Sequence, residues 1–239
     1  MADPLLSLAG VHTRIGRYHI LQGVDLDIEE GAVTTLLGRN GAGKTTTMRT
    51  IMGLWRRTEG SIRFGGDDIG ALPTPDIARR GIAYVPENMG LFGNLTVREN
   101  LVLAARAGAM DKTRLDWLLG LFPALQKFWN LPARNLSGGQ KQMLAIGRAV
   151  IEPRRLLLID EPTKGLAPAI VQNLIAALIE LKRSTTILLV EQNFGMALAV
   201  GDRVAVMDDG RIVHRGSMRA LAGDAALQQR LLGLNLEAH

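Results

Sequence analysis

Residues 38–46 read GRNGAGKTT, and the rest of the chain organises around them. The stretch fits G-x-x-x-x-G-K-[ST], with Gly38, Gly43, Lys44 and Thr45 in the fixed places. The apolar run Val33–Leu37 precedes it, and a helix-compatible segment ending near Gly53 follows. That is the strand–loop–helix context the motif requires. Glycines let backbone N–H groups turn inward around phosphate oxygens, and the helix N-terminus adds positive potential. Lys44 would reach the β- and γ-phosphates, and the Thr45 hydroxyl would ligate Mg²⁺. A chance glycine turn matches this pattern in roughly one chain of this length per hundred, so a second signal is needed.

That signal lies at Leu156–Pro162, LLLIDEP. Four apolar residues suited to a buried strand end in Asp160 and Glu161, which puts both carboxylates at the strand's C-terminal tip. Open parallel α/β sheets bind ligands at that edge. Asp160 suits a Mg²⁺ ligand, and Glu161 suits a general base that orients or deprotonates a water. Together the two stretches indicate a nucleoside triphosphatase.

Between them stands Leu136–Gln140, LSGGQ. Ser137 reads as an N-cap and Gln140, three residues on, completes a capping box. Met143, Leu144, Ile146, Val150 and Ile151 then recur at helical spacing until Pro153. A glycine-lined helix start is a second anion site, and one nucleotide needs only one cradle. The spare cradle therefore suits a nucleotide held by a partner chain.

With these three stretches in this order, the chain resembles the ATP-binding subunits of ABC transporters. The resemblance runs from about residue 5 to residue 216. It implies an α/β fold, a P-loop NTPase core of ABC type with an N-terminal antiparallel β region and an inserted helical subdomain. It also implies ATP and Mg²⁺. The ATP-binding set is Gly38, Arg39, Asn40, Gly41, Ala42, Gly43, Lys44, Thr45, Thr46 and Glu87, and the metal set is Thr45, Asp160 and Glu87. Ser137, Gly138, Gly139 and Gln140 would close on the γ-phosphate held by a second ABC ATPase subunit, identical or sister.

Four positions depart from the commonest family pattern. Glu87 stands where a glutamine usually links the metal to the membrane partner, and Gln192 where a histidine usually senses the γ-phosphate. An amide can donate to phosphate but cannot titrate near neutrality. Gln192 therefore joins Glu161 and Lys44 as a catalytic candidate, one that positions rather than carries a proton. Lys164-Gly165-Leu166-Ala167-Pro168 lacks the usual aspartate. The adenine-stacking aromatic aligns with Ile15, with Tyr18 three residues on, either stacking on adenine or packed in the protein. Glu87, Gln192 and the 165–168 run resemble the branched-chain amino acid branch of importers, specifically its shorter ATPase subunit. That branch implies integral membrane permease subunits, indirectly a solute-binding protein, and a peripheral place on the cytoplasmic face of the inner membrane. Exporters of lipid or lipopolysaccharide have ATPase subunits of similar layout. Soluble translation or chromosome ATPases are disfavoured by one uninterrupted module without a heptad array.

Composition agrees. The 239 residues suffice for a sizeable core, and no run of about 18 apolar residues is present. Met1-Ala2-Asp3-Pro4 lacks the basic start of a signal peptide. There is no cysteine, and the net charge of +5 is scattered, so no nucleic-acid partner is indicated. The patterning predicts a core at about 1–87 and 153–239. A helical subdomain is expected at about 88–152, opened by the capping box Thr96–Glu99, with helical periodicity to about Lys127. Its aromatics Trp117, Phe122, Phe128 and Trp129 suit a local core, or a groove for a membrane subunit's helix.

Overall fold

The computed structural model describes residues 3–105 and 110–233. Met1 and Ala2, where the signal reading begins, lie outside the described residues, as does 106–109 of the expected helical run. The chain opens with β1 (Leu6–Ile15) and β2 (Tyr18–Ile28), then β3 (Val33–Leu37), α1 (Lys44–Ile51), β4 (Arg57–Phe64) and β5 (Asp67–Asp68). Helix α2 (Thr74–Arg79) leads into β6 (Ile82–Val85). A run of helices follows, α3 (Val97–Val102), α4 (Lys112–Leu121), α5 (Pro123–Lys127) and α6 (Gly138–Val150). The chain then alternates through β7 (Leu156–Asp160), α7 (Pro168–Leu181), β8 (Thr186–Val190) and α8 (Phe194–Val200). It closes with β9 (Arg203–Asp208), β10 (Arg211–Ser217), α9 (Met218–Ala222) and α10 (Ala225–Leu232).

Two sheets result. The first, ordered β2-β1-β4-β5, is antiparallel, and the second runs β10-β9-β3-β8-β7-β6. Within the second sheet β9, β3, β8, β7 and β6 are parallel, and β10 returns antiparallel through the Asp209-Gly210 turn. Strands β3, β7 and β8 are buried at every position, as a sheet covered on both faces requires. Their side chains alternate between two cores. Leu157, Ile159, Ile187 and Leu189 meet the helices around α6 and α7. Leu156, Leu158, Leu188 and Val190 meet α1 and the antiparallel sheet. This is the α/β architecture the sequence implied.

The periodicity from Thr96 to Lys127 breaks into three helices. Thr96 and Glu99 do form the capping box, with Thr96 N donating to Glu99 Oε2 at 2.7 Å. Asp111 caps a new start by accepting from Arg114 N at 2.8 Å, and Pro123 opens another, where its missing N–H costs nothing. Phe122 is fully buried, whereas Trp117, Phe128 and Trp129 are half-buried against the same core. Because β3, β6, β7 and β8 run parallel, their C-terminal ends share one edge, and 38–46, Glu87, Asp160, Glu161 and Gln192 all follow from that edge.

Candidate phosphate site

The loop after β3 is shaped by positive φ at Gly38, Gly41 and Gly43. A Cβ on Gly38 would lie 2.2 Å from the Met207 carbonyl oxygen, so the position admits glycine alone. Lys44 begins α1 and is 4 % exposed. Its ammonium donates to the carbonyls of Gly38 at 2.8 Å and Arg39 at 3.0 Å, and lies 3.8 Å from Glu161 Oε1. Burial lowers the Lys44 pKa, against the pull of Glu161 and Asp160.

Asp160 ends β7 and is buried. Its Oδ1 accepts from Thr45 Oγ1 at 3.2 Å and its Oδ2 from Tyr84 O–H at 3.1 Å. Burial raises the Asp160 pKa, with both hydroxyls opposing the shift. Glu161 adopts φ 47°, a left-handed conformation rare outside glycine. Its N–H donates to Val190 O at 2.9 Å, and its carboxylate turns back over the loop. Gln192 Nε2 donates to Glu161 Oε1 at 2.6 Å and to Asn40 Oδ1 at 2.7 Å. Glu87 is exposed and accepts from Lys164 Nζ at 2.5 Å, while Lys164 lies 3.8 Å from Glu161 Oε2.

A cavity of about 320 Å³ joins these groups, lined by Asn40, Gly41, Gly43, Lys44, Thr45, Thr46, Glu87, Glu161 and Lys164, with Ile20 at its rim. Gly38, Arg39 and Gln192 line the adjoining cavity. Ala42 is buried beneath the loop, where its carbonyl accepts from Gly210 N at 2.9 Å. Ser137, Gly138, Gly139 and Gln140 stand apart at the start of α6. Ser137 N donates to Gln140 Oε1 at 2.9 Å, and Gln140 N to Ser137 Oγ at 3.3 Å.

The family model described as ABC transporter matches residues 21–164, which takes in the loop, the 136–140 turn and the acidic strand. The chain belongs to the ABC transporter family. The high-affinity branched-chain amino acid transport ATP-binding protein BraG of Pseudomonas aeruginosa is 40% identical over 232 residues, spanning 96% of this chain and 100% of that protein. The probable branched-chain amino acid transport ATP-binding protein LivF of Archaeoglobus fulgidus is 36% identical, over 90% of this chain and 93% of that one. Among solved structures, a dimeric ATP-binding cassette in a post-hydrolysis state bound to ADP and Pi superposes with a TM-score of 0.79 at 26% identity. It covers 90% of this chain and 99% of that one.

Sequence reasoning missed several contacts of this ABC site. Tyr84 and Lys164 bond to Asp160 and Glu87, and Asn40 accepts from Gln192, through pairings up to 152 residues apart. Only the shared parallel edge could have suggested them. The reading of Tyr18 as a packed residue fails. It is 59 % exposed, with the Arg17 guanidinium 5.2 Å from its ring centre. Trp117, Phe128 and Trp129 pack against the core around α6, and Trp117 also lines a cavity of about 360 Å³ with Arg114 and Ile151. A separate cavity of about 500 Å³ between α1, β6 and α6 is lined by Leu54, Trp55, Tyr84, Met89 and Arg148 among others.

Proposed function

We propose that this chain is the ATP-binding and ATP-hydrolysing subunit of an importer for branched-chain amino acids or related polar solutes. The solute class rests on likeness to BraG across nearly both full lengths. The chemistry rests on one observation, a strained Glu161 whose carboxylate faces Lys44 and Gln192 at the mouth of the glycine loop. Strain held at such a place is typical of functional residues.

ATP phosphates would enter the loop and draw Lys44 from the Gly38 and Arg39 carbonyls, replacing two ammonium–carbonyl bonds with ammonium–phosphate ion pairs. Backbone donors from Gly41 to Thr46 add fixed positive potential where charge develops. Thr45 Oγ1 and Asp160 Oδ1, 3.2 Å apart, are hard oxygen donors that fit Mg²⁺. That ion keeps most of its shell for water and phosphate, which agrees with so few protein ligands. Bound there, it would neutralise phosphate charge. Glu87 can contribute a third oxygen, directly or through water, once Lys164 releases it. Glu161 accepts the proton of the attacking water, and Gln192 donates towards the γ-phosphate while holding Glu161 in place.

Ser137, Gly138, Gly139 and Gln140 complete the site of a second ATPase subunit, identical or sister. The chain works as one ATP-binding domain, with the helical part at about 88–152 inserted in the core. Permease subunits hold it peripherally at the cytoplasmic face of the membrane, and a solute-binding protein acts further upstream. ATP bridges only the closed pair, so it favours closure through those differential contacts. Hydrolysis removes the bridge.

Light scattering of the Glu161→Gln variant during size exclusion, with and without MgATP, tests this. Without its base the variant should hold ATP and accumulate as a dimer only when ATP is present. ATP binding without dimer formation would assign the partner role to a sister subunit. Failure to bind ATP at all would sink the reading.

A further inference from the structure

Glu191 is a buried carboxylate for which the chemistry above has no use. It follows β8, is 2 % exposed, and accepts four hydrogen bonds. Oε1 takes Thr163 N at 3.1 Å and Thr163 Oγ1 at 2.8 Å. Oε2 takes Gln192 N at 3.0 Å and Asn193 N at 3.1 Å. The two oxygens thus serve two different loops, one after β7 and one after β8. Thr163 is itself buried and lies two residues beyond Glu161; Gln192 is the next residue in the other direction. Asn193 caps α8 by accepting from Met196 N at 3.0 Å, so the second loop is also tied to a helix.

Burial raises the Glu191 pKa against the pull of those four bonds. An isolated N–H could be satisfied by a water or a hydroxyl at smaller desolvation cost. What a carboxylate adds is two acceptors at fixed separation on one rigid plane. That plane sets the distance between the loop that carries Glu161 and the loop that carries Gln192. The Gln192 side chain then has one direction left, towards Asn40 and Glu161.

We propose that Glu191 is a positioning residue, clamping the loop after β7 to the loop after β8 so that Gln192 is aimed at Glu161. Both its oxygens are taken by Thr163, Gln192 and Asn193, so it acts through its neighbours. The inference rests on the hydrolysis reading above.

The test is Glu191→Gln, alone and combined with Gln192→Ala, read by steady-state kinetics and by amide exchange without nucleotide. The amide keeps the shape of the carboxylate but presents an N–H₂ group to donors at one end, so one loop loses its acceptor. Geometry lost at the reacting centre appears in kcat, which should fall about tenfold while KM for ATP stays within about twofold. In the Gln192→Ala background the second change should cost less than about twofold more, because both act on one aim. Exchange at Thr163, Gln192 and Asn193 should rise together, as expected when a shared clamp opens. Where Glu191→Gln does not fold, Thr163→Val removes one bond and should give a smaller kcat loss of the same kind. An unchanged kcat overturns the proposal. So does a full multiplicative loss in the double variant, or faster exchange confined to 192–193. A wild-type chain that hydrolyses nothing would count against the functional reading alone, because the exchange comparison still decides the clamp.

Discussion

The two glycine turns proposed above to meet phosphate are finished in opposite ways. At 38–46 the loop closes on itself, with a 4 % exposed Lys44 filling its centre and two of its own carbonyls taken by that ammonium. At 137–140 the turn satisfies its leading amides with a capping box and presents Ser137 and Gly138 to solvent. The first turn has the Thr45 hydroxyl, the Asp160 carboxylate and Glu161 within reach of its lysine. The second has no carboxylate within 137–140, which agrees with the proposal that it closes on another subunit's nucleotide. Damage to the first should therefore weaken binding, whereas damage to the second should leave binding intact and lower turnover.

The largest effect is expected at Lys44. Lys44→Ala removes a charge-assisted phosphate contact and also leaves the Gly38 and Arg39 carbonyls without their donor. ATP affinity should fall by about 10- to 100-fold and kcat by about 100-fold or more. Fluorescent-nucleotide titration beside a phosphate-release assay measures both. Retained affinity would mean that the loop backbone alone holds ATP, and the contrast between the turns would weaken.

A smaller, more selective effect is expected at Gly139. A Cβ there would lie 2.5 Å from Ile170 Cγ2, so α6 must shift against α7, while at Gly138 the nearest atom is Leu166 Cδ2 at 3.7 Å. Gly139→Ala should cost about 1–3 kcal/mol of stability through overpacking. It should also cut kcat several-fold by moving the 137–140 turn, with ATP affinity unchanged. Gly138→Ala should pack without strain and so controls for the stability loss, not for turnover. If Gly139→Ala weakened ATP binding by the chain's own loop, the two turns would not be separable.

The parts of this molecule that depend on short-range order were legible in the sequence. The loop, the acidic strand and both capping boxes are set within nine residues or fewer, and each formed where its spacing placed it. The parallel core strands were equally legible, because a strand buried on both faces must read as an apolar run. What escaped depends on contacts across the sheet. Nothing local in Val190-Glu191-Gln192 says that the glutamate is the buried member and the glutamine the exposed one, since that choice is made by Thr163, 28 residues away. Helix α8 was passed over because only seven residues, Phe194–Val200, form it, too few for a 3.6-residue period to repeat. The helical periodicity from Thr96 to about Lys127 is carried by three helices, whose breaks periodicity alone does not mark. The period persists through Asp111 and Pro123, where capping chemistry starts new helices.

The smallest predicted effect runs against the usual direction of mutation. The cradle that binds phosphate holds Asp160 buried, and burial raises its pKa above the unfolded value. At neutral pH the folded chain therefore carries a carboxylate whose charge burial disfavours, and that charge costs stability. Asp160→Asn removes the charge while its amide can still meet the Thr45 and Tyr84 hydroxyls. In chelator and without nucleotide, the variant should melt about 2–4 °C above wild type, for a gain near 1 kcal/mol. The sign of the pH dependence follows from the raised pKa. As pH falls towards the ordinary carboxylate range the folded wild type takes up its proton before the unfolded chain does, so its handicap shrinks and the two melting curves converge. Adding MgATP should invert the order, because ligand binding stabilises only the chain that retains its metal-binding carboxylate. A variant less stable than wild type in chelator would show that the two hydroxyl bonds outweigh desolvation, and that the cradle at 38–46 is relaxed in its resting form rather than held ready for a cation.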